Sequence, residues 1–127
     1  MTFEVERWVE QSRYDLGTAQ AMFNSGRYLY VLFCCQQAVE KLLKALIAKE
    51  SQRMPPPIHQ LMRLARLANL EVSEEQAAFL RELSAYYIQT RYPEDIRDLV
   101  AMVKQKEARY VLNQTEEILE WLYTMNK

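Results

Sequence analysis

His59 is the sole histidine of the chain, so any acid–base step running through an imidazole must use this side chain. Arg63 and Arg66 follow it at i+4 and i+7, a spacing that on a helix makes one cationic stripe opposite a leucine face. Such a stripe can receive a phosphate. The plainer alternative is a solvated polar face with His59 in a capping role. Arg53 stands six positions before His59, formally an Arg-x5-His pair. Arginines are frequent enough here for that spacing to arise by chance, and the prolines between the two keep them off one helix face.

A second cluster, Tyr86, Tyr87, Arg91 and Tyr92, surrounds Pro93. It is either aromatic packing that closes one end of the molecule, or a guanidinium and hydroxyls facing a nucleotide or RNA phosphate. Asp15 falls at the margin of an apolar helix face beside Trp8, where an unpaired carboxylate would be costly; Lys41 is its expected partner. Glu40 and Lys44 read as an ordinary i,i+4 helical pair. The sequence has no glycine-rich phosphate loop, no HExxH, no Cys/His zinc spacing and no assignable Ser-His-Asp set, so neither a metal nor a cofactor is expected.

The elements that must position these groups are helical. Apolar residues recur at helical period through five segments, and no stretch alternates as a strand would. The first segment, about 2–24, buries Val5, Trp8, Val9, Ser12, Leu16, Ala19 and Phe23, and Gly26 suits the left-handed conformation that ends it. The second, about 27–51, sets Val31, Cys35, Ala38, Val39, Leu42 and Leu46 on one face and Gln37, Glu40, Lys41 and Lys44 on the other. Pro55–Pro57 then impose an extended link.

A short helix at about 58–70 starts with His59 and buries Leu61, Leu64, Ala65 and Ala68. Ser73 with Gln76 forms a capping box for a helix over about 74–90, which Arg91-Tyr92-Pro93 breaks. An irregular turn around 94–102 leads to the last helix, about 104–125, with Ala108, Val111, Leu112, Thr115, Ile118, Leu119 and Leu122 in line. Apolar stripes on long helices joined by short links predict an all-α fold, an up-down antiparallel bundle of four to five helices forming a single domain over 1–127.

Composition narrows the function classes. Sixteen basic against seventeen acidic side chains leave a formal charge of −1, so no global basic field draws nucleic acid or an anionic membrane. No apolar run spans a bilayer, no secretory h-region is read at the start, and adjacent Cys34 and Cys35 diverge on a helix; the expectation is a reducing cytoplasm. Tyr30, Phe33, Tyr110, Gln114 and Trp121 point away from the apolar stripes of their helices, which suggests an interface, with a second copy as a homodimer or with a heteromeric partner; the alternative is a monomer with scattered aromatics.

Three segments in order resemble the HEPN family (higher eukaryote and prokaryote nucleotide-binding): CQQAVEKLLKALI on the second helix, HQLMRLARLA after the prolines, and YYIQTRYPED before the last helix. Trp8, Asp15, Leu16 and Ala19 also fit, so the resemblance spans almost the whole chain. It implies a dimeric up-down bundle of the kind that prokaryotes pair with a separate minimal nucleotidyltransferase in toxin–antitoxin-type modules. Members with a late Arg-x4–6-His motif are metal-independent ribonucleases that cut RNA at the dimer cleft. The corresponding region here, Arg91 to Arg97, supplies arginine but no histidine, and so no group to move the 2′-hydroxyl proton.

The positions that carry over are Gln37, Glu40 and Lys41, then His59 and Leu61, then Arg91, Tyr92 and Pro93. The expectation is therefore a non-catalytic or weakly catalytic subunit that binds nucleotide, RNA or a minimal nucleotidyltransferase partner. Lys41, His59, Arg63, Arg66, Arg91 and Tyr92 would face phosphate. The alternatives are a metal-independent endoribonuclease, with His59 as general base or acid and Arg53 or Arg91 stabilising the phosphate, and a purely structural dimer.

Overall fold

The computed structural model describes residues 3–89, 98 and 100–125. The helices whose bounds fall within the described residues are α1 (Phe3–Asn24), α2 (Tyr28–Ser51), α3 (Leu61–Leu67), α4 (Glu74–Gln89) and α5 (Gln105–Met125). No strand occurs among the described residues, and none of their helices is long and apolar enough to cross a membrane. The irregular turn expected around 94–102 lies mostly outside the described residues; 100–102 are helical.

Local chemistry sets the ends. Gly26, at φ 77°, closes α1 with the paired bonds of a Schellman motif: its amide donates to the Phe23 carbonyl and that of Arg27 to Met22. Asn69, at φ 59°, repeats the motif after α3, its amide on Arg66 and that of Leu70 on Ala65. The capping box of α4 is reciprocal: the Ser73 amide donates to Gln76 Oε1 at 2.8 Å and the Gln76 amide to Ser73 Oγ at 3.0 Å.

Helices α1 and α2 are antiparallel: Trp8, early in α1, lies under Lys44, while Asp15, further along α1, meets the earlier Lys41, and Ser12 Oγ donates to the Ala38 carbonyl. The same reversal relates α1 to α5, through Phe23 with Arg109, Gln20 with Glu116 and Arg13 with Tyr123. The fold is thus an all-α antiparallel bundle. The α5 stripe buries the seven expected residues, and α3 buries Leu61, Leu64 and Ala65, with Ala68 buried just beyond its end. Trp8, Leu16 and Phe23 of α1 lie half-buried against the core.

Helix α2 occupies the middle, in contact with α1, α3, α4 and α5. Leu32, Leu42 and Leu43 are fully enclosed, each contributing roughly 2 kcal/mol of apolar burial. The same central position overturns one expectation. Glu40 and Lys44 were placed on the polar face, opposite the apolar one; both are buried, together with Gln36, while Gln37 and Lys41 are half-buried. A helix packed from several directions has little outer face, and its polar residues must then find partners inside.

Of the aromatics expected outside the core, Tyr30 and Tyr110 are exposed. Phe33 stacks on Tyr87 with ring centroids 6.2 Å apart, and Trp121 packs against the core.

Candidate functional site

Gln36, Glu40 and Lys44 recur every fourth residue, so a single line along α2 carries an amide, a carboxylate and an ammonium. Pro55–Pro57 bring the chain back across this line. With Pro55 buried and the Ile58 amide bonded to the Pro56 carbonyl, the link sets His59 beside Glu40. Helix α3 begins only at Leu61, so His59 precedes it and shares no helix face with Arg63 and Arg66, contrary to the stripe expected from their spacing. The Leu61 amide is held by Ser84 Oγ of α4 at 2.8 Å, which ties this turn to the helix bearing Tyr87.

The carboxylate of Glu40 is the hub. Gln36 Nε2 donates to its Oε1 at 2.9 Å and Lys44 Nζ to its Oε2 at 3.0 Å. His59 Nδ1 lies 3.0 and 3.1 Å from the two oxygens. A carboxylate can only accept, so Nδ1 carries a proton. In the neutral ring Nε2 is then the acceptor, and the Tyr87 hydroxyl, 3.2 Å away, donates to it. The Tyr87 ring also stacks on the imidazole with centroids 4.2 Å apart. Gln36 Nε2 reaches the His59 carbonyl at 3.3 Å, and Gln37 donates to Gln36 Oε1 at 2.7 Å.

Chemically this is a tyrosine–histidine–carboxylate chain backed by a lysine. Its carboxylate holds the imidazole in one orientation, the arrangement by which acid–base sites fix a tautomer. Here, though, both ring nitrogens are engaged. The His59 side chain is 41% exposed, whereas that of Glu40 is 6% exposed.

The expected site residues are divided among separate places. Lys41 pairs with Asp15 at 2.7 Å, the predicted ion pair, on the α1–α2 side. Arg63 and Arg66 are exposed and line a groove between α3 and α4 with Arg81 and Ser84. Arg53 is exposed at a groove shared with Glu4 and Met54, and among the described residues nothing joins it to His59. Arg91 and Tyr92, with Pro93, lie outside the described residues.

Sequence reasoning did not assign Gln36, Lys44 or Arg81 to a site and read Glu40 as half of a helical pair with Lys44 and a position of the family resemblance. The 36/40/44 ladder inside an otherwise apolar helix was the available signal. Among the described residues no group of three or more His, Cys, Asp or Glu side chains gathers for a metal ion.

Both thiols are raised by burial. Cys34 is pushed up to about 11, with the charge of Asp15 adding and that of Lys41 opposing, and Cys35 to about 12. Neither forms a disulfide. They are packing residues without thiolate chemistry near neutral pH.

Comparison with solved structures finds two close matches in shape. TT1696 from Thermus thermophilus superimposes with a TM-score of 0.80 at 28% identity, covering 97% of this chain and 98% of that one. ST0689, described as an archaeal HEPN homologue, gives 0.78 at 22% identity with the same coverage, a likeness of fold. A search of curated proteins finds no match. The family model for the HEPN domain matches residues 5–125, in agreement with the three segments that carried the resemblance, and the chain belongs to the HEPN domain family.

Proposed function

We propose that this chain is a non-cleaving HEPN subunit that forms a homodimer and binds a nucleotide, RNA or a minimal nucleotidyltransferase partner. It would act in a toxin–antitoxin-type module in the cytoplasm. One observation carries the non-cleaving part: the only imidazole has Nδ1 on Glu40 and Nε2 on Tyr87. Ribonuclease action without a metal needs a nitrogen free to take the 2′-hydroxyl proton. Here the histidine clasps the proline link to α2 and α4 instead. The dimer is supported by exposed apolar side chains, Tyr30 and Val100 sharing one groove with Val103, and Met102 and Tyr110 also exposed. The unbridged cysteines suit a reducing compartment.

The Glu40–His59 pair favours one competing reading. An oriented, partly exposed imidazole becomes a general base once Tyr87 turns aside, so a metal-independent endoribonuclease is the second reading. RNA cleavage in EDTA by wild type and His59→Ala decides between them. The expected result is no cleavage by either, with a dimer by light scattering. Cleavage by wild type that His59→Ala abolishes would overturn the first reading.

A further inference from the structure

Arg63 and Arg66 of α3 and Arg81 of α4 line one groove of about 380 Å³. Among the described residues none of the three guanidiniums has a carboxylate partner, whereas Lys41, Lys44 and His59 all do. Three like charges facing one concavity repel one another, and an anion seated there removes that cost. Ser84 also lines the groove. Its Oγ accepts the Leu61 amide, which fixes the oxygen and leaves the hydroxyl hydrogen for another acceptor. Met62 and Ala85 give the same groove an apolar wall. A thioether beside a flat ring is a favourable contact.

We propose that the α3–α4 groove is a nucleotide-unit site. Arg63, Arg66 and Arg81 hold phosphate oxygens, Ser84 donates to one of them, and Met62 with Ala85 lies against the base. The inference rests on the nucleotide- or RNA-binding reading above and assigns it a place distinct from the His59 network. Planar guanidiniums match phosphate by paired hydrogen bonds. A triphosphate concentrates several negative charges within a groove of this size. Peptide carboxylates carry one charge each, and same-face neighbours on an extended chain stand about 6.7 Å apart, so an acidic peptide satisfies three arginines here less well. The phosphate can come from a free nucleotide or from an RNA backbone.

The test titrates the full chain with inorganic tripolyphosphate, ATP, a fluorescein-labelled single-stranded hexanucleotide RNA and a glutamate-rich peptide. Wild type is compared with Arg63→Gln, Arg66→Gln, Arg81→Gln and the triple variant. All three side chains are exposed, so circular dichroism melts should coincide. Wild type should bind ATP or the RNA more tightly than tripolyphosphate, and whichever of the two binds better names the source. Each single change should weaken binding about tenfold and lower the salt slope for RNA by about one. The triple change should weaken it about a hundredfold or more. Unchanged binding by the triple variant would overturn this site and leave nucleotide binding standing elsewhere. No binding of ATP or RNA by wild type would remove both. A peptide that binds as tightly as ATP and RNA would overturn the proposal in favour of protein docking.

Discussion

His59 Nδ1 sits 3.0 and 3.1 Å from the two oxygens of Glu40, a residue nineteen positions earlier in the chain and almost wholly buried. The contact fastens the proline link to the middle of α2, and Tyr87 fastens the other side of the same ring to α4. One imidazole thus joins three parts of the molecule. Lys44, 3.0 Å from Glu40 and 5.7 Å from the centre of the Trp8 ring, extends the line to α1.

The first prediction concerns the buried pair. Glu40→Leu leaves the Lys44 ammonium enclosed with no carboxylate, and removing one partner of a buried pair typically costs about 3–5 kcal/mol. Adding Lys44→Met to Glu40→Leu removes the stranded charge and should restore most of that loss. Urea unfolding of wild type, single and double variants reads the effect. A double variant no better than Glu40→Leu would mean that the cost lies in the His59 and Gln36 bonds and not in the stranded ammonium.

Tyr87 separates stacking from hydrogen bonding. Tyr87→Phe keeps the ring over His59 and loses only the hydroxyl, a change worth about 1 kcal/mol. Tyr87→Ala also removes the stacks on His59 and Phe33 and should cost clearly more. Tyr87→Phe frees His59 Nε2, so a non-cleaving subunit gains no RNA cleavage in EDTA from it. A gain would support the ribonuclease reading.

Much of the bundle was legible in the sequence because its information is local. The α5 stripe, the Ser73–Gln76 box and Gly26 depend on residues within a turn or two of one another, and all are found where periodicity and capping chemistry place them. The Asp15–Lys41 pair was legible for a related reason: a charge on the margin of a buried stripe needs an opposite charge across the helix interface. The His59 network was not legible. A helical wheel assigns one inner face to α2, but that helix touches four others, and Glu40 and Lys44 lie on a second buried side. Nor does spacing reveal that His59 precedes α3, since the proline link and the Ser84 bond to Leu61, a tertiary contact, govern that turn.

Thiol chemistry offers a pH-dependent check. Burial raises Cys34 from 9.0 to about 11, so its thiolate fraction at pH 8 is about a hundredfold below that of an ordinary thiol, and labelling by a disulfide reagent slows accordingly. Because these folded-state values lie above the unfolded ones, the unfolded chain releases its thiol protons first as pH rises. Stability therefore declines as pH passes 9, and further above 10 as the Tyr86 phenol, raised to about 12 by burial and then by Glu82, begins to contribute. Thermal melts at pH 7.5 and 10 should show a lower midpoint at the higher pH. Replacing both cysteines by alanine should narrow that difference, and an unchanged difference would assign it to other groups.

Among the described residues three hold the left-handed conformation at helix ends, and only one of them is glycine: Gly26 at φ 77°, Gln52 at 56° and Asn69 at 59°. An added Cβ at Gly26 meets nothing within 4 Å, so Gly26→Ala should cost only the backbone penalty of about 1–2 kcal/mol. The converse holds at Gln52, which caps α2 with its amide on the Ala48 carbonyl. Its side chain is exposed, so Gln52→Gly relieves strain without losing core packing and should stabilise by about 0.5–1 kcal/mol. At Asn69 the gain from glycine should be smaller, because asparagine tolerates this region better than glutamine. Denaturant midpoints for the three variants should therefore order as Gln52→Gly above Asn69→Gly above Gly26→Ala. A destabilised Gln52→Gly would show that the Gln52 side chain contributes more at the α2 end than its exposed position accounts for.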